Sequence, residues 1–115
     1  MNKYSSINDA IRIDQRFKKG NTHVWFAKPE FAFGMFTPCL AFLENTHVYL
    51  GNVAFTNLEN AFRALQGEYW SPNGEARDFI IGKNLSHTSM SVGDILVIDN
   101  EAYLCEPSGF SIIPD

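Results

Sequence analysis

Within eight residues the chain gathers His87, Thr88, Ser89, Ser91 and Asp94, in the stretch SHTSMSVGD. These are the residue types of a nucleophile, a general base and an orienting carboxylate, the set that performs acyl transfer or hydrolysis. Triads, however, are assembled from distant segments, because adjacent side chains seldom point at one atom. No strand-to-helix elbow of the G-x-S-x-G kind is present. The same residues also make turn chemistry: hydroxyls bond local backbone, Gly93 takes a special φ, and Asp94 bonds neighbouring amides where a strand begins. The turn is the reading taken here. His87, Thr88, Ser89 and Ser91 remain candidate binding residues, and none is assigned as catalytic.

His23, His47, His87, Cys39 and Cys105 are residue types that ligate zinc, but no pair has ligand spacing, so neither metal nor cofactor is expected. The two cysteines read as reduced, buried thiols. Glu59 reads as a helix cap, while Glu68, Glu75 and Asp78 read as solvated carboxylates. Trp25, Phe26, Phe31, Phe33 and Phe36 have the chemistry of base-stacking platforms, yet Lys28 is the only basic residue among them. Core packing is the first reading for that set, and a protein-contact patch the second. Tyr69, Trp70 and Arg77 belong to the residue types most often found at interface hot spots. The competing reading folds Trp70 back over a helix end.

The elements that must position these groups follow from periodicity. Residues 6–20 fit a helix capped by Ser6, with Ile7, Ala10, Ile11 and Phe17 on one side. Ile11, Ile13 and Phe17 also fit a strand, with Arg12, Asp14 and Arg16 facing out, and the helix is the reading preferred. From Thr22 to Phe55 the runs HVWFA, FAFGMF, LAFLE and HVYLGNVAF predict strands, with Gly51-Asn52 as a hairpin turn or a bulge. TNLENAFRALQG predicts an amphipathic helix. Thr56 and Glu59 have capping-box spacing, Leu58, Ala61, Phe62 and Leu65 form the stripe, and Gly67 is placed at a left-handed end. EYWSPNGEAR predicts a loop and DFII a short strand. ILVID and EAYLC predict a hairpin closed by Asp99-Asn100, and Pro107-Ser108-Gly109 turns the chain into FSII.

Composition limits the function classes. The 115 residues suit one domain spanning 1–115, with 45% apolar residues for its core. Ten phenylalanines exceed what such a core needs and leave some for a contact surface. A net charge of −4 argues against a role that grips duplex nucleic acid through its phosphates. The apolar run EFAFGMFTPCLAFLE is broken by Gly34 and Pro38 and is too short to span a bilayer. The amino terminus has no hydrophobic region of the signal-peptide kind, so a cytoplasmic chain without membrane contact is expected.

The segments NLENAFRALQGEYWSPNGEAR and SHTSMSVGDILVIDNEAYLCEPSGFSII resemble the small YodL-like proteins of bacteriophages and mobile elements. The matching residues are Leu58, Glu59, Phe62, Gln66, Trp70, Ser89, Ser91, Val92, Gly93, Asp94, Tyr103, Gly109 and Phe110, all in the second half of the chain. The resemblance implies a phage accessory protein working in the host cytoplasm, and no particular activity.

The expected fold is a single α+β domain: a mainly antiparallel sheet, curled toward a barrel or open, with the Leu58–Leu65 helix packed on it. The leading function is a non-enzymatic binding module that targets or inhibits a host or viral protein. The alternative is a module for nucleotide or single-stranded nucleic acid, using the Ser/Thr turn and an aromatic face. A hydrolase or transferase centred on His87 is the third class. Oligomeric state is not readable from the sequence.

Overall fold

A computed structural model describes residues 6–10, 20–34, 38–55, 57–71, 73–74 and 76–114. Among them lies one open antiparallel sheet of strands β1 (Thr22–Ala27), β2 (His47–Val53), β3 (Ile95–Ile98), β4 (Glu101–Glu106) and β5 (Gly109–Ile112). Their spatial order is β2-β1-β3-β4-β5. The fold is therefore α+β. The sheet does not curl into a barrel: β2 and β5 are its two edges, and among the described residues β5 pairs only with β4. Helical pieces are short: α1 (Ile7–Ala10), α2 (Leu58–Ala64), α3 (Gly67–Trp70) and α4 (Arg77–Gly82).

Strand alternation divides the core between the two sheet faces. Val24, Phe26, Leu50, Leu96 and Cys105 face the helices and bury Ala61, Leu65, Trp70, Phe79 and Met90. Ile95, Val97, Ala102 and Leu104 face the other way and are covered by Leu40, Leu43 and Ile113. Both faces are thus buried over β3 and β4, which explains why ILVI is apolar without alternation.

Several sequence expectations change. The runs at Pro29–Gly34 and Leu40–Asn45 are 3-10 helices, not strands. Leu43 is the buried residue of the second, so this piece works as a lid on the outer face of the sheet and not as a ladder member. DFII belongs to α4, where Phe79 and Ile80 are buried and Ile81 is exposed, a helical and not an alternating pattern. EYW is helical in α3 rather than loop. Of the amino-terminal helix, Ile7–Ala10 is helical, and residues 11–19 lie outside the described residues. Phe36 and Glu75 also lie outside them.

The α2 stripe is as predicted: Ala61 and Leu65 are buried, and Leu58 and Phe62 pack against the same core. Its cap is Asn57, one residue after the predicted position, with Oδ1 accepting from the N–H of Glu59 and of Asn60. Thr56 itself lies outside the described residues. Gly67 does not take a left-handed φ. It starts α3, and a Cβ there would meet Ser89 Oγ at 3.1 Å.

Gly51 lies in a bulge inside the single strand β2, the second of the two options for Gly51-Asn52. The β1–β2 register slips between Val24 and Trp25, and Gly51 has φ +127. A Cβ at this position would also press on Ile7 and Asn8 of α1, so glycine lets α1 close over this edge. Asn8 Nδ2 donates to Asn52 O at 2.6 Å. Asp99 and Asn100, with φ 51 and 68, form the tight turn between β3 and β4.

Candidate functional site

The SHTSMSVGD segment folds around the Asp94 carboxylate, which is fully buried. Oδ1 accepts from Ala27 N–H at 2.7 Å, and Oδ2 accepts from Ser91 N–H at 2.8 Å. His87 Nε2 lies 2.8 Å from Oδ2 and 3.1 Å from Oδ1. Because a carboxylate only accepts, Nε2 carries the proton in this contact. The imidazole stacks on Phe26 at 4.9 Å with 10° between planes. Asp94 therefore ties the end of β1, the turn and the start of β3 to one side chain.

Around this knot the hydroxyls are occupied by backbone. Ser89 Oγ accepts from Gly67 N–H at 2.7 Å, and Ser91 Oγ donates to Ser89 O at 2.8 Å. Gly93 has φ +101. None of these hydroxyls is hydrogen-bonded to His87, so the His–Asp pair faces no nucleophile in the described structure. The turn performs the local bonding read from its sequence. Its long-range member, the Asp94 bond to β1, has no signal in residue spacing.

His47 supports the same region. Its Nε2 donates to Gly93 O at 2.7 Å, and Nδ1 lies 2.8 Å from Thr46 Oγ1. Burial holds the His47 pKa below the ordinary 6.5, outweighing the carbonyl of Gly93 and the charge of Asp94, which raise it. It is neutral at physiological pH. His23 Nδ1 instead contacts Tyr49 OH at 2.8 Å on the outer face. The three histidines therefore have separate partners, and among the described residues no group of three His, Cys, Asp or Glu converges on one point.

Trp70 is 1% exposed, with Nε1 donating to Thr88 O at 3.0 Å. It closes the core beneath α3 and is not a contact residue. Its neighbour Tyr69 is 52% exposed. Tyr69 and Arg77 do not share a surface: Arg77 lines a separate polar cleft with Thr88 and Ser86. Of the sequence candidates, then, Arg77 and Thr88 come together, Tyr69 stands apart, and Trp70, Ser89 and Ser91 are engaged within the fold.

A groove of about 710 Å³ lies between α2 and the β4–β5 hairpin. Leu58, Phe62 and Tyr69 line one side, and Cys105, Pro107 and Phe110 the other. Phe62 and Phe110 meet edge to face, with ring centres 6.3 Å apart. Cys105 is pushed up to about 11 by burial and by the charges of Asp94 and Glu106, so its thiol stays neutral and apolar. Glu59, Glu68 and Glu106 also line this groove, with Arg63 the one cation among the lining residues. Sequence reasoning named Phe62 and Phe110 separately but had no means to pair residues 48 positions apart.

Compared with known proteins, the chain matches no family model, no curated sequence and no solved structure. Among the described residues no helix is long and apolar enough to cross a membrane.

Proposed function

We propose that this protein is a non-enzymatic binding module, an accessory protein of a bacteriophage or mobile element that occupies a surface of a host or viral protein. The observation that carries the reading is the open groove between α2 and the β4–β5 hairpin, where aromatic side chains and an exposed Tyr69 stand beside each other. The His87–Asp94 pair gives the enzyme reading less, because among the described residues no hydroxyl or thiol is hydrogen-bonded to the imidazole. The test is affinity capture from host lysate with the wild-type chain and with Tyr69→Ala. A protein held by the wild type, released by the variant and bound directly after purification supports the reading. Equal retention by both chains moves the contact elsewhere.

A second reading, a module for nucleotide or single-stranded nucleic acid, has one observation in its favour: Arg77 shares a polar cleft with Ser86 and Thr88. A salt titration with a labelled oligonucleotide and with a nucleotide decides it. No affinity at low salt removes this reading.

A further inference from the structure

The groove ends on the free edge of the sheet, and the two features together define a more specific ligand. β5 is the outermost strand, and no described strand covers its far side. Ile113 N–H donates to Ala102 O of β4. By the alternation of an antiparallel ladder, the N–H and C=O of Ile112 and of Phe110 then turn away from β4, toward the side on which no described strand lies. The side chains of these same two residues lie on the groove face, since Phe110 meets Phe62 there and Ile112 is two positions along. Ile112 is 62% exposed, a large apolar side chain left uncovered on an edge strand. Protected edges usually carry a charge or proline at such a position.

Charge narrows the occupant. Three carboxylates, Glu59, Glu68 and Glu106, are exposed around the groove against the single guanidinium of Arg63. A second copy of this chain would set these carboxylates against themselves, and the whole chain carries −4.

We infer that the β5 edge and its groove take up an extended, basic segment of a partner protein. The segment pairs with the outward backbone of Phe110 and Ile112. Its alternate apolar side chains continue the Phe110–Ile112 row, and its lysines or arginines face the glutamates. This is strand addition, in which main-chain hydrogen bonds supply affinity and alternate side chains supply selectivity. The inference rests on the groove being the contact surface, and it adds the conformation and charge of what binds.

The whole wild-type protein is panned against a displayed library of random peptides, and enriched sequences are synthesised and measured by fluorescence anisotropy. The expected peptides carry apolar residues two apart with flanking Lys or Arg, and their affinity falls several-fold as ionic strength rises from about 0.05 to about 0.5 M. Two exposed-site variants, each checked for wild-type circular dichroism and melting, complete the test. Ile112→Pro removes the outward N–H and is expected to abolish binding, and Glu106→Lys to weaken it about tenfold. Enriched peptides that are acidic or helical, or that bind Ile112→Pro as well as wild type, overturn the inference. If Tyr69→Ala still abolishes their binding, the groove remains a contact surface and only its proposed ligand is wrong. An empty selection overturns it too. So does a dimer in sedimentation that Ile112→Pro dissolves, which makes a second copy the occupant.

Discussion

His87 Nε2 donates to the Asp94 carboxylate at 2.8 Å, and that carboxylate has no solvent exposure while also holding the amides of Ala27 and Ser91. A His–Asp pair of this geometry resembles half of a catalytic triad. Here its other partners are main-chain amides from two elements, so its work is to join β1 to the turn before β3. That role can be separated experimentally from a chemical one.

Asp94→Ala strands two backbone donors and the imidazole N–H at once, and is expected to cost about 3 kcal/mol of folding stability. Asp94→Asn keeps one acceptor and is expected to cost roughly half as much. Urea denaturation with a common slope checks both values, and equal stability of Asp94→Ala and wild type would contradict the structural role.

His47 predicts a pH dependence. Its folded pKa lies below its unfolded value, so the unfolded chain takes up a proton first as pH falls. Stability from neutral His47 is fully present above about 6.5 and is lost as pH drops through the folded pKa, by at most about 1.4 kcal/mol per pH unit. Unfolding midpoints between neutral pH and mildly acid pH, compared with His47→Gln, isolate this contribution. The variant is expected to have the shallower slope.

The two thiols should differ in reactivity. Cys105, with its pKa pushed up to about 11, is buried and neutral, whereas Cys39 is only partly buried. Brief treatment of the native protein with a thiolate-selective reagent at mildly alkaline pH is expected to label Cys39 ahead of Cys105. Peptide mapping by mass spectrometry reads the order, and unfolding should make the two equal.

At the start of α2, Asn57 Oδ1 accepts two amide protons, from Glu59 and Asn60. Asn57→Ala is expected to lower stability by about 1 kcal/mol, while Asn57→Asp should retain most of it. Thermal melts of the two variants provide the comparison.

The sequence by itself determined the elements whose signal is local. The stripe Leu58–Ala61–Phe62–Leu65 specified α2, because a 3.6-residue period is written into one window. Asp99-Asn100 specified the β3–β4 turn, because two residues that tolerate positive φ meet a tight reversal. Short apolar runs carried no such information. LAFLE and DFII are equally apolar as strand or helix, and only the face they cover decided between the two. The tertiary structure alone decided that Asp94 reaches Ala27, 67 residues away, and that Trp70 turns inward to bond Thr88. It also brought Phe62 and Phe110 together into a groove beside an open strand edge. These are contacts between segments far apart in the chain. Their energy comes from burial and from satisfying polar groups once the sheet has formed, and no spacing within a short window encodes it.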